Sequence, residues 1–285
     1  MNVLLTGSRG FIGSYFQKHY ARKYTIQPFS FLKDDLNALH VKEIDVVIHL
    51  SALVHQMSGA SDEAYERVNV KQTLELALKA KESGVKQFIF MSTVKVYGEE
   101  SDVPYSEISL CHPQDAYGRT KLKAEQELQK LTSEDFSVSI IRTPIVYGYG
   151  VKANIKNLVT LVANVSLLPF GNIHNKRSFT YVGNLCAMID KIIEKKKRGI
   201  FLAGDDKSLS TTRLIELIAL NQKKKVFFIS LPLFSSLVKW IKPSFYKRLF
   251  ESLEIDNTQT KKILEFQNPY SVEDGIKLMI QGSAE

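Results

Sequence analysis

Short apolar runs and helically spaced apolar positions alternate through the first half of the chain. Val3-Leu4-Leu5 forms the first run, and residues 11–21 then carry apolar side chains at helical spacing. Residues 24–29 predict a weak second strand. Residues 45–50, Asp-Val-Val-Ile-His-Leu, are rich in β-branched side chains and read as a buried parallel strand. Residues 62–82 predict a long helix that ends near Gly84, a residue suited to a left-handed stop. A strand over 87–91, a helix over 117–131 and a strand over 138–141 follow. This strand–helix order predicts an α/β fold with a doubly wound parallel sheet.

The periodicity weakens after Pro144. Gly148, Gly150, Pro169 and Gly171 surround one predicted helix, 153–164, a pattern that suits a lid or substrate lobe. Residues 199–203 predict another short strand. Residues 205–285 read as mainly helical, with breaks at Pro232, Pro243 and Pro269. Within them, 231–250 interleave Leu233, Phe234, Leu237, Val238, Trp240 and Ile241 with Lys239, Lys242, Lys247 and Arg248. Such a segment is either a basic amphipathic helix lying on an anionic bilayer or an ordinary helical pair covering the substrate lobe. The chain shows no repeat and no low-complexity tract.

A chain of 285 residues, 44% hydrophobic and 24% charged, can build one domain with an annex or two domains. No apolar run reaches about 18 residues, so no spanning helix is expected. The N-terminus enters a strand without a basic start and does not read as a secretory signal. A cytoplasmic location is expected, with peripheral membrane contact through 231–250 as the open alternative. Cys111 and Cys186 stand in unrelated contexts, so cytosolic thiols and no metal site are expected. The net charge of +8 gathers in Lys195-Lys196-Lys197-Arg198 and Lys223-Lys224-Lys225. These runs read as solvated helix ends, or as attraction to an anionic membrane or phosphorylated substrate. No base-reading motif accompanies the charge, and no nucleic-acid partner is expected.

The candidate chemistry begins where the first strand meets Thr6-Gly7-Ser8-Arg9-Gly10-Phe11-Ile12-Gly13. Gly7 permits a tight turn, Gly10 admits a ligand to the backbone, and Gly13 lets the following helix pack closely. A helix N-terminus aimed at that turn favours a bound pyrophosphate. Further on, Tyr117 and Lys121 stand four apart on a predicted helix and share one face. An ammonium close to a phenol lowers its pKa, so the pair can exchange a proton with a sugar hydroxyl or carbonyl. Thr93 ends a strand on the same carboxyl edge of the sheet, where its hydroxyl can hold the reacting oxygen. Each residue alone is unremarkable; together they suggest a dinucleotide site with its own proton-transfer groups.

These motifs, with Asp35-Leu36, His49-Leu50-Ser51-Ala52, Val68-Asn69-Val70, Met91-Ser92-Thr93, Val96-Tyr97-Gly98, Arg142-Thr143-Pro144, Val146-Tyr147-Gly148 and Arg177 to Val182, carry a resemblance. The chain resembles, over almost its whole length, the extended short-chain dehydrogenase/reductases of the nucleotide-sugar epimerase/dehydratase superfamily. The resemblance implies a Rossmann-type dinucleotide-binding domain over 1–147, with a return at about 178–204. A smaller, mainly helical substrate lobe would be built from 148–177 and 205–285. It implies that Thr93, Tyr117 and Lys121 are catalytic, with Tyr117 the acid or base. Lys121 would also hold the nicotinamide ribose. Gly7, Gly10, Phe11, Ile12 and Gly13 would cradle the pyrophosphate, and Asp35 and Leu36 would meet adenine. Leu50, Ser51 and Ala52 would lie over the ribose, with Ser92 and Pro144 also at the cofactor and Asn69 a structural residue behind the site. Asn154, Leu168, Phe170 and Arg177, with Thr93, would bind the substrate. The resemblance also implies a homodimer through helices at 62–82 and 117–131.

One departure bears on the cofactor. NAD-preferring members carry an acid at the end of the second strand, and here that end reads Gln27-Pro28-Phe29-Ser30. Arg9 inside the glycine turn, with Ser30 or Lys33, can accept the 2′-phosphate, which favours NADP(H) over NAD(H). The leading expectation is a reductase acting at C4 of a UDP-4-keto-6-deoxy-N-acetylhexosamine in bacterial surface-polysaccharide synthesis. The alternative is a UDP-hexose 4-epimerase, acting on UDP-glucose or UDP-N-acetylglucosamine with the same three residues. A 4,6-dehydratase is disfavoured because Val94-Lys95, not an acidic pair, follows Thr93. A non-catalytic nucleotide-binding scaffold or sensor is the remote alternative.

Overall fold

Six parallel strands line up in the order β2 (Thr25–Phe29), β1 (Asn2–Thr6), β3 (Val46–His49), β4 (Gln87–Thr93), β5 (Ser137–Thr143) and β9 (Gly199–Leu202). The computed structural model describes residues 1–54, 60–229 and 234–282. β1 (Asn2–Thr6), α1 (Phe11–Tyr20), β2 (Thr25–Phe29) and β3 (Val46–His49) open the chain. β1 pairs with both β2 and β3, so the strand order reverses there. In such sheets, ligands bind at the carboxyl edge beside that reversal. The glycine turn and Leu50 both lie on that edge.

The helix predicted over 62–82 is continuous but not uniform. α2 (Asp62–Glu66) and α3 (Gln72–Glu82) are joined by a wider π-helical turn, Arg67–Lys71. β4 (Gln87–Thr93), α4 (Ala116–Lys130) and β5 (Ser137–Thr143) follow, each within a residue or two of its predicted limits. Beyond them come β6 (Ile145–Tyr147), α5 (Ala153–Asn164), β7 (Leu167–Leu168), β8 (Phe179–Tyr181), α6 (Val182–Lys195) and β9 (Gly199–Leu202). β9 returns to pair with β5 at the sheet edge. The remaining elements are α7 (Thr211–Asn221), β10 (Phe227–Phe228), α8 (Phe234–Ile241), α9 (Pro243–Phe250), α10 (Thr258–Leu264) and α11 (Val272–Gln281). Pro243 starts α9, where its missing N–H costs nothing. The break expected at Pro232 and the opening residues of the basic segment, 231–233, lie outside the described residues, as does the side chain of Phe234.

The sheet is buried on both faces, and the period of two decides which side chain goes where. Val3, Leu5, Val46, Ile48, Ile89 and Ile141 face a cluster shared with Phe16 and Leu185. Leu4, Val47, Phe88, Phe90 and Ile140 face Leu76, Ala77 and Ala124. Among the described residues, no helix is long and apolar enough to cross a membrane.

Candidate active site

The turn after β1 fits a dinucleotide phosphate. Gly7 has φ +68°, and a Cβ there would stand 3.0 Å from the Leu50 carbonyl carbon and the Ser51 nitrogen. A Cβ on Gly13 would fall 2.3 Å from the Gly7 oxygen, so Gly13 is required by the turn backbone. Gly10 caps α1 without a side chain, is exposed, and leaves the first amides of that helix to face a ligand. Phe11 and Ile12 are partly buried against the core. Thr6 accepts the Ser51 N–H at 3.1 Å and pairs with His49 Nδ1 at 2.8 Å, tying the turn to the 50–52 segment. His49 Nε2 pairs with Thr73 at 3.0 Å. Burial lowers the His49 pKa to about 3, with the Lys121 charge a lesser cause, so His49 is a neutral core residue.

Asp35 is exposed and accepts the Asn37 N–H at 2.9 Å, with Leu36 half-buried beside it. Arg9 and Lys33 are exposed. The end of β2 holds a surprise: the Asp34 carboxylate turns back to accept the Ser30 N–H at 2.7 Å. An acid therefore does stand at the end of the second strand, supplied from four residues downstream.

Three local devices bring the reacting groups together. Asp115 caps α4 by accepting the Gly118 N–H at 2.7 Å, which fixes Tyr117 in the first turn. Gly118 lets α4 abut the turn after β4, because a Cβ there would stand 2.8 Å from the Lys95 oxygen. Asn69, fully buried in the π turn, accepts from Leu53 N at 2.8 Å and donates to Leu53 O at 3.0 Å and Thr120 Oγ1 at 3.2 Å. Thr93 and Tyr117 then line one cleft of about 260 Å³, with Pro144, Asn154 and Arg177. Lys95 lines it too, bonded at 2.6 Å to both Glu99 and Asp115.

Lys121 is buried on the same face of α4 as Tyr117, with its ammonium 3.8 Å from the centre of the Phe90 ring. Burial lowers its pKa to about 7, against an opposing pull from Glu125. Burial also holds the Tyr117 phenol above its ordinary range, with the Asp115 charge and Tyr65 adding to the effect. The expected lowering of the phenol by Lys121 is not found in the protein alone, where every influence on Tyr117 raises it. Ser92 is buried, and its hydroxyl donates to Glu125, which also takes Arg142 Nη2 at 2.6 Å and Nε at 3.1 Å. Ser92 therefore belongs to a polar network beneath α4, whereas Pro144 reaches the cleft.

The substrate candidates divide. Arg177 is buried, and its Nη1 donates to the Glu251 carbonyl at 3.0 Å and the Lys247 carbonyl at 3.2 Å. It stands between the cleft and a neighbouring cavity of about 170 Å³, and Asn154 and Arg248 also line both. Phe170 lines that second cavity. Leu168 lines neither; it is a core residue of β7 paired with Phe228. Sequence reasoning missed Asp34, Gly118, Lys95 as a cleft residue, and Arg248. Only Arg248 carried a signal, as part of the basic 231–250 segment.

The model of the NAD dependent epimerase/dehydratase family matches residues 3–204. A UDP-glucose 4-epimerase from Vibrio cholerae is 34% identical over 312 residues, covering 98% of this chain and 94% of that protein. Among solved structures, UDP-glucuronic acid 4-epimerase from Bacillus cereus, in complex with NAD, shares the fold with a TM-score of 0.79 and 22% identity, covering 99% of this chain and 98% of that one. So does dTDP-4-dehydrorhamnose reductase from Bacillus anthracis in complex with NADP, with a TM-score of 0.77, 20% identity and 99% of both chains covered. A glycine turn at a strand-order reversal, a Tyr–Lys pair on the adjoining helix and a full-length relative thus place this chain in the NAD dependent epimerase/dehydratase family, the extended short-chain dehydrogenase/reductase enzymes that its motifs resemble.

Proposed function

We propose that the chain is a 4-epimerase of a UDP-linked hexose. The observation that carries the reading is that Thr93 and Tyr117 line one cleft together with Arg177. A bound nicotinamide would supply a hydride acceptor at C4 that later returns the hydride to the other face of the ring. The chain's own residues do the rest. Thr93 orients the C4 oxygen, and Tyr117, protonated in the protein alone, would have to be ionised beside bound NAD and the buried Lys121 before it takes the C4 proton and gives it back. Arg177, with Arg248, suits the diphosphate oxygens, since a guanidinium fork matches them in shape and charge. Asn154 stands at the same junction.

The full-length likeness to a UDP-glucose 4-epimerase supports epimerisation over the reductase first favoured. The carboxylate of Asp34 at the end of β2 supports NAD(H), against the NADP(H) preference drawn from Arg9. The reductase remains the second reading, because exposed Arg9 in the glycine turn suits a 2′-phosphate. Denaturing the purified protein and identifying what it releases separates the two. Retained NAD, with UDP-glucose converted to UDP-galactose without added cofactor, is expected. NADPH oxidation that requires a 4-keto sugar nucleotide would replace epimerase by reductase. A homodimer through 62–82 and 117–131 belongs to the same reading, and a monomer in sedimentation velocity would remove it.

A further inference from the structure

Helices α8 and α9 lie at the surface. No residue of either whose exposure is described is fully buried. Leu237, Trp240 and Ile241, spaced three and four apart on α8, are all exposed, Trp240 to 83%. Phe245 of α9 is also exposed. Lys239, Lys242, Lys247 and Arg248 accompany it, and residues 234–250 contain no acid. The neighbouring carboxylates belong to Glu100, bonded to Lys247 at 3.3 Å, and to Glu251 beyond the end of α9.

We propose that α8 and α9 dock the protein on an anionic lipid surface, with the Leu237–Trp240–Ile241 strip among the acyl chains and the lysines at the headgroups. Exposed apolar side chains on two helices that carry cations and no acid complement an anionic bilayer in both chemistry and charge. The same composition argues against a second copy of this chain. A two-fold contact sets identical patches against each other and would oppose lysine to lysine. Docking would also bear on the active site, because Phe245, Arg248 and Leu249 of α9 wall the cavity that adjoins the cleft. The inference goes beyond the proposed reaction and is read by binding alone, so either can fail without the other.

Trp240 is the only tryptophan of the chain and reports on its own surroundings. Full-length protein is mixed with vesicles of phosphatidylcholine containing about one-third phosphatidylglycerol, and separately with pure phosphatidylcholine vesicles. The expected result is a blue shift of Trp240 emission and co-sedimentation with the anionic vesicles alone, both reversed by high salt. The double variant Lys239→Glu, Lys242→Glu should keep its circular dichroism and bind about tenfold more weakly or less. No shift, or an equal shift on neutral vesicles, overturns the proposal. So does a shift that follows protein concentration without vesicles, which would assign the face to self-association.

Discussion

At the scale of single residues, the site rests on groups whose surroundings oppose their charge. Tyr117 keeps its proton and Lys121 has a pKa of about 7 because both are desolvated. Tyr117→Phe removes only the hydroxyl, so turnover should fall about 10²- to 10⁴-fold with the fold intact, as steady-state rates and circular dichroism will read. His49 gives a pH prediction. Its folded pKa of about 3 lies below the ordinary 6.5, so between those values the unfolded chain holds more protons. Stability is then complete above about pH 6.5 and is lost on acidification towards pH 3, by about 5 kcal/mol at most. Urea unfolding of His49→Gln, which cannot titrate, should show a flatter dependence between these limits. Gly13→Ala forces a Cβ onto the Gly7 oxygen and should cost about 3 kcal/mol in the same measurement, together with cofactor retention. The residues legible in the sequence were those whose role is local: Gly7 and Gly13 in their turn, Tyr117 and Lys121 on one helix, Thr93 at a strand end. Asp34 was not legible because its approach to Ser30 depends on a turn between them. The network around Ser92 was not legible because Glu125 and Arg142 are distant from it in sequence.

At the scale of elements, helices and strands were legible because the apolar period differs between them, and the parallel order followed from their alternation. The contacts that hold one element to the next were not. Glu125 of α4 and Arg142 of β5 form a buried pair, with the Arg142 guanidinium 4.7 Å from the Tyr97 ring centre. Glu125→Gln strips the arginine of its counter-charge and should cost about 3–5 kcal/mol in chemical unfolding. Asn69 links the loop after β3 to α4, and Asn69→Ala would leave both polar groups of Leu53 without that partner. The loss should be about 1–3 kcal/mol, with a fall in turnover exceeding that of an exposed alanine control.

Over the whole molecule, the late segments are stitched to one another by buried polar ties that the weak periodicity after Pro144 could not reveal. Asp205 accepts from the Tyr147 hydroxyl at 2.7 Å, the Tyr181 N–H at 3.0 Å and Asn184 Nδ2 at 2.8 Å. Asn184 in turn brackets Tyr270 ahead of α11, through bonds of 3.0 Å to its N–H and carbonyl. The widened Arg67–Lys71 turn has a consequence of the same reach. Each residue added to a helix rotates everything beyond it by about 100°. The coil before the turn can thus carry the Tyr65 hydroxyl to the Val54 carbonyl at 3.3 Å, while Leu76, Ala77 and Ala80 after it are aimed at the sheet. Such an extra residue works as a phase-shifter between two functions of one rod. Excising a single residue there would bring the coil back into uniform winding and set its two ends at odds, so the region should tolerate substitution far better than deletion.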